Sequence, residues 1–114
     1  MAAYSEWGED CQFKFNGDWV FAIWDDYKKN LFISRDRFGT KPLYYIFNEK
    51  YFIFASELKA FMSLAKDLRP DFDYGFLLWL GYNYGSLNTF LKDVFLLQAG
   101  SQINIDYNNF KIKK

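Results

Sequence analysis

With 114 residues the chain fits one domain and can bury a core of useful size. Lys+Arg and Asp+Glu both number 14, so no net basic charge draws it to nucleic acid or to an anionic membrane. Apolar residues make up 51% and aromatics 24%, an aromatic load above ordinary usage, so part of the surface is expected to meet another piece of protein.

The sequence contains no histidine, which removes the commonest general base and the commonest zinc ligand together. Its single cysteine excludes an internal disulfide framework and suits a reducing cytoplasm. No run of 18 apolar residues marks a transmembrane helix, and the start, Met1-Ala2-Ala3-Tyr4-Ser5-Glu6, lacks the basic and apolar regions of a signal peptide.

In chain order, residues 1–8 read as the tail of a helix stopped at Gly8, without an N-cap signal at its front. A tail without a beginning is the expected mark of truncation. Trp19 to Trp24 is apolar almost without break, which predicts an inner strand covered on both faces. The polar turn 25–30 returns the chain into Leu31-Phe32-Ile33-Ser34, forming a hairpin. Arg35 to Pro42 is a loop in which Gly39 supplies a positive φ and Pro42 fixes the exit. Leu43 to Phe47 and Tyr51 to Ala55 form a second hairpin.

Ser56 is an expected N-cap, with Glu57 in the first turn and Leu58, Phe61, Met62 and Ala65 on one helical face. After a polar loop from Lys66, Asp73 is expected to cap a short helix, Tyr74 to Leu80, ended by Gly81; being apolar nearly all round, it should be buried or docked. Tyr82 to Lys92 reads as irregular, with a turn at Gly85. Val94 to Gln98 and Ser101 to Asp106 flank a turn at Ala99-Gly100. After a turn at Tyr107-Asn108-Asn109, Phe110 to Lys113 is an edge strand. The order predicts an α+β fold with antiparallel sheets.

Three segments carry a resemblance. They are Asn16-Gly17 before an apolar strand ending in Asp25; Arg35-Asp36-x-x-Gly39-x-x-Pro42-Leu43-Tyr44; and Ala55-Ser56-Glu57-x-Lys59-Ala60. In that order and spacing the chain resembles the second half of the class II glutamine amidotransferase (N-terminal nucleophile) domain of glutamine-hydrolysing asparagine synthetases. Thr89-Phe90 resembles a Thr-Phe element of that family. Leu97-Gln98-Ala99-Gly100 resembles its Leu-Pro-Pro-Gly turn, with both prolines replaced.

The resemblance implies a partial αββα sandwich of the N-terminal-nucleophile hydrolase type, with antiparallel sheets and outer helices, over residues 1–114. It further implies that glutamine hydrolysis supplies ammonia to a β-aspartyl-adenylate. In that family the nucleophile is an N-terminal cysteine whose own α-amine is the base. An arginine and an aspartate bind glutamine, and an upstream Asn-Gly pair forms the oxyanion hole. All of these precede the matched region by the family pattern. The ATP- and magnesium-dependent synthetase domain follows it.

Catalytic, cofactor and metal ligands are therefore expected from none of these residues. Asn16, Gly17, Arg35, Asp36, Gly39, Pro42, Ser56, Glu57 and Lys59 are expected to be structural. Cys11 is internal, without an α-amine beside it, and reads as a structural thiol. Asn16-Gly17 reads as a turn entering a strand rather than as the oxyanion pair. By the resemblance, Asp18 stands where the family usually has an apolar residue close to the ammonia path; it is expected to face solvent, the alternative being a copy that no longer channels ammonia. Arg35 and Asp36 are expected to brace their loop, by an ion pair or by bonds to backbone carbonyls. Gly39-Thr40-Lys41-Pro42 lacks the glycine spacing of a phosphate loop. Adjacent Asp25 and Asp26 belong to a solvated turn, and the aromatic stripe of Tyr44, Tyr45, Phe47, Tyr51, Phe52 and Phe54 to core and interface.

The expected function is that of a glutaminase-domain portion, inactive as an isolated chain. The alternative is a non-catalytic complementation module that pairs with a separately encoded N-terminal half.

Overall fold

The structure is a computed structural model, and it describes residues 2–64, 68–82, 87–108 and 111–113. Met1, Ala65, Lys66, Gly85, Asn109 and Phe110, on which several expectations rest, lie outside the described residues. The elements in chain order are α1 (Ala2–Trp7), a 3-10 helix (Gly8–Lys14), β1 (Val20–Asp25), β2 (Asn30–Arg35), β3 (Tyr44–Phe47), β4 (Phe52–Ala55), α2 (Lys59–Leu64), α3 (Phe72–Trp79), β5 (Phe95–Leu96), β6 (Gln102–Asp106) and β7 (Lys111–Lys113). They divide into two compact units, residues 1–41 with 99–114, and residues 42–98. Both sheets are antiparallel, in a mixed helix-and-strand chain as the element order predicts. No helix among the described residues is long and apolar enough to cross a membrane.

In the first unit the strand order is β1-β2-β6-β7. Gly8, at φ +58, ends α1 and lets the chain continue as a 3-10 helix. Directly paired residues share a face, so Phe21, Ile23 and Asp25 of β1 stand beside Ser34, Phe32 and Asn30 of β2. These in turn stand beside Gln102, Asn104 and Asp106 of β6. Helix α1 and the 3-10 helix cover this face. Tyr4 stacks on Phe32 at 5.7 Å, Phe15 meets Phe21 edge-on at 5.7 Å, and Cys11 is fully buried. Complete burial of a side chain such as Phe32 contributes about 1.5–3 kcal/mol.

The run Trp19 to Trp24 departs from expectation. β1 is an edge strand, with Ala22 and Trp24 exposed, and among the described residues no strand pairs with its outer side. The buried strand is β2, where Phe32, Ile33, Ser34 and Arg35 are all inaccessible or nearly so. An unbroken apolar run specifies hydrophobic surface on both sides, but it does not specify which neighbour covers it.

The second unit has the strand order β4-β3-β5. One face carries Ile46, which packs with Phe61 of α2 and with Val94, and Tyr44, Ile53, Ala55, Leu58, Leu68 and Leu91 surround this core. On the other face Tyr45, Phe52 and Phe95 lie ring against ring, at 6.0 and 5.9 Å from Tyr45. The aromatic stripe is therefore split by the pleat: Tyr44 borders the core, and Tyr45 anchors the opposite face. β5 and β6, which flank the Ala99-Gly100 turn, belong to different sheets.

Two local expectations are corrected. Ser56 does not begin a helix: residues 56–58 form a turn, in which the Glu57 and Leu58 carbonyls accept from the Ala60 and Phe61 N–H groups, and α2 starts at Lys59. The cap of α3 is Asp71, whose carboxylate accepts from the Tyr74 N–H at 2.9 Å, while Asp73 lies inside the first turn. Of the two alternatives for α3, buried or docked, burial does not hold: α3 has no buried residue, Tyr74 and Leu78 are half-buried, and Phe72 and Trp79 are each 79% exposed. The helix is apolar on more sides than its own unit covers.

Candidate functional site

The loop between β2 and β3 is the most tightly specified part of the first unit. Arg35, the last residue of β2, is 7% exposed, and its guanidinium turns along the loop it precedes. Its Nε donates to the Lys41 carbonyl at 2.7 Å and its Nη2 to the Gly39 carbonyl at 2.5 Å. Asp36 is fully buried, and its carboxylate accepts the Phe38 N–H at 2.8 Å and the Thr40 N–H at 3.1 Å. Its backbone is clasped as well: its N–H donates to the Trp19 carbonyl at 2.9 Å, and its carbonyl accepts the N–H groups of Gly39 and Gly100.

Cation and anion thus each hold one set of loop backbone groups, carbonyls for Arg35 and N–H groups for Asp36. The carbonyl bonds of Arg35 are of the kind expected of the pair, whereas the N–H groups held by Asp36 lie outside that expectation. Burial pushes the Asp36 carboxyl upward, but the N–H donors of Phe38, Thr40 and Gly39 together outweigh it and hold the group below its ordinary value.

The 36–19 backbone bond ties this loop to the turn that enters β1, where Asn16 and Gly17 are exposed and Gly17 has φ +120. That is turn geometry, and Asp18 beside it faces solvent. Pro42 is exposed at the loop exit. In the second unit, Glu57 and Lys59 form an exposed ion pair at 2.8 Å, and Ser56 is exposed. Pairs of that kind are worth about 0–1 kcal/mol. Asp25 organises the first hairpin turn through the N–H groups of Tyr27 and Lys28, and Asp26 pairs with Lys29 in solvent.

Cys11 lies beneath the helical cover of the first sheet. Its thiol is fully buried, and burial is the main cause that raises its pKa, with neighbouring backbone groups pulling weakly the other way.

Sequence reasoning missed a set of half-buried polar bonds between the 3-10 helix and the first sheet. The Trp19 indole N–H donates to Ser34 Oγ at 3.2 Å, and Ser34 Oγ donates to Gln12 Oε1 at 2.8 Å. Gln12 Nε2 donates to Gln102 Oε1, and Asn104 Nδ2 donates to Glu9 Oε1. The signal was the alternation Gln102-Ile103-Asn104-Ile105-Asp106, which by itself reads as polar residues facing water. Here the polar side lies under the helical segment. Beside these bonds is a concavity of about 260 Å³ lined by Gln12, Phe13, Trp19, Arg35, Arg37 and Gly100.

Comparison with known proteins extends these motifs. All of residues 1–114 match the family described as the glutamine amidotransferase domain. The chain is 34% identical over 117 residues to a Methanocaldococcus jannaschii protein named "Putative asparagine synthetase (glutamine-hydrolyzing) 2", a match covering all of this chain and 23% of that protein. It is 44% identical over 63 residues to asparagine synthetase (glutamine-hydrolyzing) 3 of Bacillus subtilis, covering 55% of this chain and 10% of that one. Amidase chry2 of Gibberella zeae is 30% identical over 100 residues, with 88% and 14% covered. The chain spans less than a quarter of the length of these relatives. The braced Arg35-Asp36 loop and the Asn16-Gly17 turn it holds are thus features of a chain that belongs to the glutamine amidotransferase domain family.

Proposed function

We propose that residues 1–114 are the later part of the glutaminase domain of an asparagine synthetase-like enzyme, and that they act as its supporting wall. In this reading the two antiparallel sheets are part of an αββα N-terminal-nucleophile sandwich. The nucleophile, the glutamine-binding groups and the oxyanion hole come from chain outside these residues. ATP and magnesium for the amide ligation would belong to a synthetase domain. The single buried thiol suits a reducing cytoplasm.

The observation that carries the reading is how the conspicuous reactive groups are used. Arg35 and Asp36 hold loop backbone, and the lone thiol is buried with a raised pKa. A free glutaminase needs an accessible nucleophile with a base beside it. The test is ammonia release from glutamine by the purified chain. No release above that of a Cys11→Ala variant is expected, and Cys11-dependent release would overturn the reading.

The exposed edge of β1 favours a second form of the same reading, in which a separately encoded first half adds to this chain. A neighbouring reading frame beginning Met-Cys-Gly would support that form, and a clean intergenic gap would count against it.

A further inference from the structure

Asn16-Gly17 is the one Asn-Gly pair in the sequence, and the fold leaves it open. Both residues are exposed in the turn that enters β1. Among the described residues, neither the Asn16 side-chain amide nor the Gly17 N–H makes a hydrogen bond. Apart from its chain neighbours, no heavy atom lies within 4 Å of the place where a Cβ on Gly17 would stand. The peptide nitrogen of Gly17 is therefore unshielded, both by its own residue and by the rest of the unit.

The other asparagines are protected in ways this one is not. Each precedes a residue that carries a side chain. Asn30 is 9% exposed, Asn48 Oδ1 holds the Lys50 and Tyr51 N–H groups, and Asn104 Nδ2 donates to Glu9. The stretch around Asn16 is also bounded on both sides. The Phe15 N–H donates to the Gln12 carbonyl at 3.3 Å, and the Trp19 carbonyl accepts the Asp36 N–H at 2.9 Å. Residues 16–18 form an exposed span between these two anchors.

We propose that Asn16 is a self-modification site, at which the folded chain deamidates through a cyclic imide. The Gly17 amide nitrogen, having lost its proton to hydroxide, attacks Asn16 Cγ. A Cγ–N bond forms, the Cγ–Nδ2 bond breaks, and the side-chain nitrogen leaves as ammonia with a proton from water. Water then opens the five-membered ring. Attack at Cγ gives aspartate, and attack at the Asn16 backbone carbonyl gives isoaspartate, whose backbone is one atom longer. No oxidant, metal or second protein is required. Either product takes the chain from zero net charge to one negative charge, and places that charge two residues from Asp18. The two anchors confine the longer isoaspartyl backbone to the exposed span, so the braced loop and β1 keep their places.

The test is peptide mass mapping of the purified chain during days of incubation in mildly alkaline buffer, folded and in denaturant. Tryptic peptide 15–28 contains Asn16 as its only asparagine. It should gain one mass unit and resolve into two species of equal mass, aspartate and isoaspartate. Because no structure has to open first, the folded rate should lie within about fivefold of the rate in denaturant. Asn16→Gln replaces an exposed side chain by one that must close a larger ring, and should abolish the gain in this peptide. The one equivalent of ammonia released per chain needs no glutamine, which separates it from enzymatic turnover. A folded chain that reacts more slowly than that fivefold margin would show that the turn holds the pair shut, and would overturn the proposal. So would a gain that survives Asn16→Gln, or one that appears first in another asparagine-containing peptide.

Discussion

Gly39 lies against the guanidinium of Arg35 so closely that a Cβ at position 39 would come within 3.0 Å of Nη2 and 3.1 Å of Cζ. The same Cβ would meet that of Ala99 at 2.9 Å, and the backbone there has φ +65. The glycine answers two separate demands: a left-handed turn, and room for the arginine that braces the loop.

Gly39→Ala is therefore expected to destabilise the chain by about 2–3 kcal/mol, combining left-handed strain with a close contact. Gly100, at φ +69, has its nearest would-be contact at 3.5 Å, so Gly100→Ala carries only the strain, about 1–2 kcal/mol. Urea unfolding of the two variants separates these terms. Adding Ala99→Gly to Gly39→Ala should recover part of the loss through the shared contact. Equal losses at the two glycines, with no recovery, would show that the approach to Arg35 and Ala99 is not felt.

Asp36 makes the loop sensitive to acid. Its folded pKa lies below the ordinary 3.8, so the unfolded chain binds the proton more readily. Its contribution is fully present above about pH 4, where the unfolded carboxylate is already ionised, and it is lost as pH falls through the lower folded value. Stability measured by urea unfolding should drop below pH 4, and Asp36→Asn should be less stable at pH 7 with a flatter acid limb. An unchanged acid limb in Asp36→Asn would assign the sensitivity to other carboxylates.

How much of this was legible depended on whether the signal was local. The hairpins, and the turns at Gly8, Gly39, Gly81 and Gly100, were readable because glycine at a positive φ and polar turn residues act within a few positions. The carbonyl bonds of Arg35 were readable because both acceptors lie within six residues, whereas the N–H groups held by Asp36 were not anticipated. The Gln12–Gln102 bond was not, since its partners are 90 residues apart and only the fold brings them together. β1 was misplaced as an inner strand, and α3, expected to be buried or docked, has no buried residue, for a related reason. Apolar content states how much surface seeks cover, not whether this chain provides the cover.

The cap of α3 is a choice between two aspartates that flank Phe72. Asp71 holds the Tyr74 N–H and has extended backbone, at φ −89 and ψ 92, whereas Asp73 only adds charge near the helix start. Asp71→Ala should cost about 1 kcal/mol through loss of the cap. Asp73→Ala should cost a few tenths, from the dipole alone. Thermal melts of the two variants decide it, and a reversed order would move the cap back to Asp73.

Thr89 is nearly buried, and its hydroxyl is a small hub. It lies 2.9 Å from the Val94 carbonyl and 3.0 Å from the Leu91 carbonyl, and it accepts the Leu91 N–H at 3.1 Å. Valine fills the same volume without the oxygen. Thr89→Val should therefore cost about 1–3 kcal/mol, because it leaves backbone groups without a partner rather than creating a cavity. Thr89→Ser, which keeps the hydroxyl, should cost less. If the two variants melt together, the hub contributes nothing beyond the methyl group's packing.

Cys11 offers a readout of the packing beneath the helical segment. Only the thiolate attacks a disulfide reagent, and here both burial and a raised pKa disfavour it. Labelling of the folded chain must then wait for the 3-10 helix to lift, so its rate reports an opening equilibrium. With an opening cost of about 3 kcal/mol, the folded chain should react with Ellman's reagent at pH 8 about 100-fold more slowly than the chain in denaturant. Gln12→Ala removes the bonds that pin the helix to Ser34 and Gln102, and should accelerate labelling without exposing the thiol outright. Labelling of the folded chain at the unfolded rate would show that Cys11 is reachable, and would also weaken the case against it as a nucleophile.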